Sequence, residues 1–259
     1  MNELLQQTLN NKNGLLAIYF TAGYPRLEST ETLIQLLDKQ PIDIIEIGIP
    51  FSDPLADGPV IQESSRKALQ NGMNLKLLFS QLKQARKHTR KPLILMGYFN
   101  PVLQFGLEKF LHEAKKCGIN GLILPDLPPE IYERHYRKQF TDSGIPLIFL
   151  VSPQSSDERI HYIDKLSSSF IYAVSSASTT GSTKGFDTGH LAFFKRLQSL
   201  HLKQAVMVGF GINSQEQIAT IQQFAKGAII GSAFIRQLDE KKADLGVSEF
   251  FNNLKNKPL

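Results

Sequence analysis

Short apolar runs recur along the whole chain at fairly even spacing. Each run has six to eight residues, is rich in apolar and β-branched side chains and barely alternates with polar residues. Strands that are buried on both faces of a parallel sheet have this pattern. The eight predicted strands, in chain order, cover residues 15–21, 42–49, 92–98, 121–126, 146–152, 170–175, 204–211 and 227–233.

Amphipathic stretches separate these runs and predict helices. Beyond Asn100-Pro101, apolar residues spaced three and four apart end at Gly118, which favours a helix that a glycine terminates. Asn213 precedes Glu216 by three residues, a capping-box pattern at a helix start. Pro128-Pro129 opens another predicted helix, which stops near Gly144. The spaced apolar residues of the first helix are Leu107, Phe110, Leu111, Ala114 and Cys117.

Strands that alternate with helices imply right-handed βαβ crossovers. Both a closed (β/α)8 barrel and an open doubly wound sheet satisfy this alternation. Eight units within 259 residues favour a TIM barrel, and no change of composition suggests a linker, so we expect a single barrel domain over 1–259. Segment 51–91 is long enough for an extra helix in the crossover after the second strand. Segment 2–12 predicts an N-terminal helix that caps the barrel bottom.

The second predicted strand carries a carboxylate within its apolar run. Residues 44, 46 and 48 share one face, so we expect Glu46 to point into the barrel near its carboxyl-end mouth, where active sites of this fold lie. A buried carboxyl either binds backbone groups as a structural residue or exchanges protons with a raised pKa. Asp57 lies eleven residues further on, in the next loop. Asp57 could equally be a turn residue before Gly58-Pro59, and for Asp53, before Pro54, the turn interpretation is favoured.

Glycines lie at or beyond the ends of the last three predicted strands. Thr180-Gly181 comes after the sixth strand, Gly211 ends the seventh, and Gly231-Ser232 lies at the end of the eighth, just before a predicted helix. The loops after the seventh and eighth strands form the usual phosphate site of this fold, because glycines and a helix N-terminus present backbone N–H groups to an anion. The alternative is that they are ordinary turn glycines.

Composition and charge limit the classes of substrate and catalytic site that we expect for this chain. A net charge of +5, with scattered Lys and Arg, suits an anionic small substrate better than nucleic acid. Neither a signal peptide nor a membrane-spanning run is expected, and the single Cys117 fits a reducing, cytoplasmic compartment. The spacing of His and Cys predicts no metal site. Lys184 lies in a loop, and no lysine ends a strand, which argues against a Schiff-base aldolase.

Seven motifs give the chain a resemblance to the alpha chain family of tryptophan synthase, nearly from end to end. The most specific of them is EIGIPFSDPLADGPVIQ at 46–62. The others are FTAGYP (20–25), LMGYFNPV (95–102), PDLP (125–128), TTG (179–181), GFGI (209–212) and GSAF (231–234).

This resemblance implies retro-aldol cleavage of indole-3-glycerol phosphate to indole and glyceraldehyde 3-phosphate. By motif, Glu46 is implied as the general acid/base and Asp57 as the residue that binds the indole N–H. The resemblance also implies a β chain partner in an α2β2 heterotetramer, to which the indole passes. That partner would carry pyridoxal phosphate, while this chain needs no cofactor. The implied substrate-binding residues are Phe20, Tyr98 and Tyr172 around the indole, and Thr180, Gly181, Gly211, Gly231 and Ser232 around the phosphate.

One segment departs from the family pattern. Many members read S-R-x-G-V-T-G after the sixth strand, whereas this chain has SSASTTG, with Ser176 and Ser178 in place of the arginine and the first glycine. We expect 176–187 to form a lid that a β chain orders, and loop 51–59, with its prolines and exposed Phe51, to be a docking surface. The alternative is a catalytically weak alpha chain that mainly activates its partner. Another phosphate-binding isomerase barrel would need different acid/base residues.

Overall fold

A computed structural model describes residues 3–174, 186–209, 211–238 and 243–256. Its strands form one all-parallel sheet that closes into a barrel, so the predicted (β/α)8 architecture is confirmed. The strands are β1 Leu15–Thr21, β2 Ile44–Gly48, β3 Leu93–Met96, β4 Gly121–Ile123, β5 Leu147–Ile148, β6 Leu150–Val151, β7 Phe170–Val174, β8 Ala205–Gly209 and β9 Gly227–Ile230.

The fifth predicted strand is divided in two. β5 pairs with β4, and β6 pairs with β7, with Phe149 between the two short segments. The chain bends at Phe149. One half of the predicted strand pairs with β4 and the other half with β7, and together they complete the ring of eight strand positions. The sixth, seventh and eighth predicted strands are therefore β7, β8 and β9.

Helices surround the barrel, and their bounds agree with the amphipathic pattern. Two of them, α3 and α4, lie between β2 and β3, which confirms the extended crossover. A single 3-10 turn, Arg86–His88, and a π-helical turn, Tyr132–Tyr136, complete the set. The helices are α1 Glu3–Asn11, α2 Ser29–Asp38, α3 Pro59–Gln70, α4 Leu75–Ala85, α5 Phe99–Phe105, α6 Leu107–Lys116, α7 Pro129–Ile131, α8 Arg137–Ser143, α9 Asp157–Leu166, α10 Thr188–Ser199, α11 Gln215–Ile221, α12 Ser232–Gln237 and α13 Ala243–Asn256.

Two layers of apolar side chains make up the core. One lies inside the barrel, where α1 contributes Leu5 and Leu9 at the bottom, as expected of a capping helix. The other lies between the strands and the surrounding helices. Successive residues of a strand point to opposite faces, so each strand divides its side chains between these two layers.

The predicted cap of α11 is displaced by one residue. Ser214, rather than Asn213, is the N-cap, and its side chain accepts a hydrogen bond from the backbone N–H of Gln217. The Gln217 side chain accepts in return from the Asn213 N–H at 2.8 Å. The pattern Ser-x-x-Gln satisfies the helix start because both side chains reach orphan N–H groups.

Candidate active site

Glu46 lies inside the barrel with only 1% of its surface exposed. It comes from the middle of β2, between Tyr19 of β1 and Ile94 of β3 in the strand register. Among the residues that the structure describes, neither carboxyl oxygen has a hydrogen-bond partner. The structural alternative, a carboxyl held by backbone groups, therefore does not describe Glu46. An orphaned buried carboxyl is costly in free energy, which marks it as a group kept for chemistry.

Asp57 occupies the loop between β2 and α3 and is half-buried. The loop is held by its own backbone, since the Asp57 N–H donates to the Pro54 carbonyl at 3.0 Å. Gln62, one turn into α3, donates to the Asp57 carbonyl at 2.9 Å. Asp53, by contrast, is exposed and acts as a turn residue, with its carbonyl accepting from Leu55 N–H. The loop thus presents one aspartate to the barrel mouth.

Tyr98 connects the loop of Asp57 to the end of β3. Its hydroxyl donates to Asp57 Oδ2 at 3.1 Å and accepts from the Ala56 N–H at 2.9 Å. Phe51 stacks on its ring, with centroids 4.9 Å apart. The expectation of an exposed Phe51 is wrong, because this stacking leaves the side chain half-buried. Tyr98 therefore both holds the loop and orients the Asp57 carboxylate.

The two carboxyl groups titrate at different pH values. Burial, with a smaller contribution from Asp57, raises the pKa of Glu46 to about 8. Burial also raises the pKa of Asp57 to about 6, while the Tyr98 hydrogen bond opposes that rise. Between these values Glu46 is protonated and Asp57 is ionised. A proton donor and a fixed negative charge then lie within electrostatic reach of each other, which suits acid/base chemistry on a substrate that becomes cationic.

The predicted residues of the indole pocket are only partly brought together. Tyr172 of β7 lies in the inner layer, 4% exposed, and its pKa is raised mainly by burial and next by Glu46. Phe20 does not join it. Its side chain lies in the outer layer, between the barrel and the helices, and is fully buried there. Tyr19, one residue earlier, takes the place beside Glu46, because the register pairs these two residues on the same face.

Gly211 and Gly231, two residues of the predicted phosphate site, follow the strands β8 and β9. A Cβ on Gly211, whose φ is +72°, would meet no heavy atom within 4 Å. Gly231 precedes α12 as its N-cap, and Ser232 is the first residue of that helix. The N–H groups of a helix's first turn have no partner within the helix, so they face the mouth as donors. Thr180, Gly181 and the predicted lid 176–187 lie outside the described residues, apart from Phe186 and Asp187.

Sequence reasoning missed two residues of this site, Tyr19 and Gln62. Both lie in or beside the quoted motifs, and Gln62 ends the most specific of them. The signal for Gln62 was its position one turn into the helix, from which a side chain can reach back to the preceding loop. For Tyr19 the sequence gives no clear signal. Either Tyr19 or Phe20 could face the barrel interior, because the run LLAIYFT is apolar on both faces.

We expect Tyr98→Phe to raise the pKa of Asp57 above about 6, since the hydroxyl that favours the carboxylate is lost. Carbon-13 NMR titration of the Asp57 carboxyl measures this directly. Tyr162→Phe is the matched control, because that hydroxyl donates to Glu133 on the outer surface. An Asp57 pKa that stays constant or falls in Tyr98→Phe would contradict the assignment of this hydrogen bond.

Within the described part of the chain, no group of three or more His, Cys, Asp or Glu is placed to hold a metal ion. Across the same residues, no helix is both long enough and apolar enough to span a membrane.

Comparisons with known proteins agree with one another. The family model described as "Tryptophan synthase alpha chain" matches residues 5–256. The alpha chain of tryptophan synthase from Flavobacterium psychrophilum is 51% identical over 254 residues, which cover 98% of this chain and all of the relative. The alpha chain from Christiangramia forsetii is 55% identical over 236 residues, or 91% of this chain and 92% of the relative.

Solved structures show the same likeness in three dimensions. A mutant alpha subunit of tryptophan synthase from Pyrococcus furiosus superposes with a TM-score of 0.86 at 34% identity, over 94% of this chain and 98% of that one. A chain from a structure of the tryptophan synthase α2β2 complex of the same organism, described for its mutual activation, also has a TM-score of 0.86 at 34% identity. It is matched over 94% of this chain and 97% of that one.

Proposed function

The chain belongs to the tryptophan synthase alpha chain family and is a lyase that cleaves indole-3-glycerol phosphate, and we propose that Glu46 and Asp57 carry out this cleavage. The observation that carries the proposal is the pair itself: a buried carboxyl without a hydrogen-bond partner among the described residues lies within electrostatic reach of a loop carboxylate held by a tyrosine. The products are indole and glyceraldehyde 3-phosphate.

Glu46 moves the protons of the reaction. Protonated at neutral pH, it donates its proton to C3 of the indole ring, the carbon that carries the side chain. The carboxylate thus formed takes the proton of the hydroxyl on the adjacent side-chain carbon. The bond between that carbon and C3 then breaks, its electron pair returns to the ring, and the hydroxyl-bearing carbon becomes the aldehyde. One residue serves as acid and then as base, so it ends the cycle protonated as it began.

Asp57 stabilises the intermediate charge. Protonation at C3 makes the ring cationic at its nitrogen, and the Asp57 carboxylate accepts the hydrogen bond of that N–H. Because the site is largely closed to water, this fixed negative charge acts at a lower effective dielectric than in bulk solvent. Tyr98 keeps the carboxylate in position through the 3.1 Å hydrogen bond. Tyr172 supplies the apolar face of a ring beside the indole.

An indole-release assay with indole-3-glycerol phosphate tests the function. The purified chain is assayed alone and with a tryptophan synthase β chain. Indole and glyceraldehyde 3-phosphate in equal amounts are the expected products. Absence of cleavage under both conditions would overturn the proposal and favour the alternative of an alpha chain that only activates its partner. That alternative gains no support from the site, since both carboxylates are present and converge.

We further propose that the substrate phosphate binds at the mouth near Gly211, Gly231 and Ser232. The support is the open space beside Gly211 and the unpaired first-turn N–H groups of α12. Thr180 and Gly181 remain proposed members of this phosphate site. Inorganic phosphate soaked into crystals should lie within hydrogen-bond distance of the Ser232 amide. Phosphate bound elsewhere at the mouth, with these amides vacant, would contradict the assignment.

A β chain is the proposed partner, in an α2β2 heterotetramer like the one described for the Pyrococcus furiosus relative. Three exposed apolar residues support a docking surface at the barrel mouth. Leu55, Leu103 and Ile131 are 90%, 42% and 39% exposed, and they follow the neighbouring strands β2, β3 and β4. Apolar side chains gathered at one end of the barrel mark an interaction site.

Leu55→Asp should weaken association with a β chain by roughly ten- to a hundredfold, because an apolar side chain that the partner would cover becomes charged. Sedimentation of mixed chains measures the assembly. The matched control is Leu245→Asp on α13, which is 46% exposed but belongs to none of the segments that follow β2, β3 and β4. Equal assembly of the wild type and both variants would remove Leu55 from the interface.

Three further properties are proposed from the family and the sequence together. The chain forms a single barrel domain over 1–259, and it works in the cytoplasm. It uses no cofactor itself, since proton transfer and charge stabilisation by the two carboxyls suffice for a retro-aldol cleavage, while pyridoxal phosphate belongs to the β chain.

A further inference from the structure

The ring of Tyr19 lies between the acid/base carboxyl and the proposed phosphate site. A Cβ on Gly48 would be 2.0 Å from the Tyr19 hydroxyl oxygen, so the hydroxyl lies directly over this glycine, one pleat nearer the mouth than Glu46. At the other end, a Cβ on Gly231 would be 3.2 Å from Cδ1 of the same ring. Tyr19 therefore spans the floor that a substrate side chain must cross between its ring and its phosphate.

Thr21 lies on the same face of β1 as Tyr19 and is held by Ser64 of α3. Ser64 donates to the Ile61 carbonyl at 2.9 Å, and Thr21 Oγ1 lies 2.6 Å from Ser64 Oγ. A hydroxyl has one proton, so Ser64 accepts from Thr21. Thr21 and Ser64 are fully buried, which holds this pair in place. The proton of Thr21 is thus committed to Ser64, and a neutral Tyr19 hydroxyl can donate or accept a hydrogen bond.

The surroundings keep Tyr19 neutral. Burial, the Asp57 carboxylate and, less strongly, Glu46 raise its pKa far above the ordinary value of 10. A phenol in this position cannot act as an acid or a base at physiological pH. It can only orient a bound group through a hydrogen bond.

We propose that Tyr19 is a specificity-determining residue whose hydroxyl forms a hydrogen bond with the middle hydroxyl of the substrate's glycerol chain. Glu46 engages the hydroxyl on the reacting carbon, so the next hydroxyl, on the way to the phosphate, is the group that remains for Tyr19. The proposal rests on the proposed function, since it names what part of that substrate the residue recognises. This hydrogen bond lets the site discriminate a ligand with a glycerol phosphate side chain from one whose side chain has no hydroxyls.

A binding experiment in the Glu46→Gln background separates recognition from turnover. Two ligands are compared: indole-3-glycerol phosphate, and an indole that carries an unsubstituted propyl phosphate at C3. Adding Tyr19→Phe should weaken binding of the glycerol ligand by roughly three- to tenfold, the worth of one neutral hydrogen bond. The propyl ligand should change by less than about twofold, because it makes no such bond.

Three controls make the outcome decisive. Tyr132→Phe removes the hydroxyl of another buried tyrosine, which packs against Phe140 and Phe149 in the outer layer, and should leave both ligands unaffected. Thermal unfolding shows whether each variant is folded. A cleavage assay of the wild type reports on the proposed function separately. An equal loss for both ligands, or no loss for either, in a chain that does cleave the substrate would overturn the role of Tyr19 alone.

Discussion

Replacing Glu46 with glutamine should lower indole release by about 10²–10⁴-fold while leaving the barrel folded. The amide has the shape of the acid but can neither donate the proton to C3 nor take one from the side-chain hydroxyl. Steady-state turnover and circular dichroism together measure the two halves of this expectation. Glu63→Gln is the control, because Glu63 is an exposed carboxylate on α3 that pairs with Arg66. Turnover within tenfold of wild type would exclude Glu46 as the acid/base.

The same substitution should change how stability depends on pH. The folded-state pKa of Glu46 is about 8, above the ordinary 4.5, so the folded protein binds this proton more tightly than the unfolded chain does. Its contribution to stability is complete below pH 4.5 and is lost as the pH rises towards 8. Glu46→Gln removes this dependence. Urea unfolding should therefore show the variant gaining relative to wild type between pH 5 and pH 8 and levelling off above.

Asp57→Asn should reduce kcat by about 10²–10³-fold, with a much smaller change in KM. The asparagine can still accept the Tyr98 hydrogen bond, so the loop keeps its conformation. What it lacks is the negative charge that the cationic ring needs once C3 is protonated. Because that charge exists only near the transition state, its loss falls on kcat rather than on substrate binding.

Asp53→Asn provides a matched control in the same loop, since Asp53 is exposed and lies four residues earlier. It should retain nearly full turnover. The pH dependence gives a second measurement: wild-type kcat/KM should rise through about pH 6 as Asp57 ionises and fall through about pH 8 as Glu46 loses its proton. These apparent values belong to the coupled pair. A large effect of Asp53→Asn, or a pH profile without the lower limb, would remove Asp57 from the proposed role.

Most of the architecture was predictable because it depends on local patterns. Runs such as IDIIEIGI are apolar on both faces, which predicts buried parallel strands, and their alternation with amphipathic segments predicts a barrel. α6 ends at Lys116, and Gly118 follows its C-cap with a φ of 66°, as expected, because a left-handed position after a helix suits glycine. Glu46 was likewise recognisable as a candidate functional residue, since a carboxyl in the middle of an apolar strand is costly to bury.

Apart from the one-residue displacement of the α11 cap, the errors concern features that depend on neighbours distant in sequence. The break at Phe149 arises because one strand pairs with both β4 and β7 at different positions. Phe51 is half-buried because Tyr98, which is far along the chain, stacks against it. In each case the local residues allow both outcomes, and packing between elements selects one.

Tyr19 and Phe20 show most clearly which features the sequence determines and which only the tertiary structure decides. By itself the sequence determined that the two side chains lie on opposite faces of a strand, and that Glu46 and a set of glycines stand at strand ends. It did not determine which aromatic ring faces inward, because LLAIYFT is apolar on both faces and both faces are buried. The register of β1 against β2 decided it: Tyr19 pairs with Glu46 and so shares its face, which leaves Phe20 among the helices.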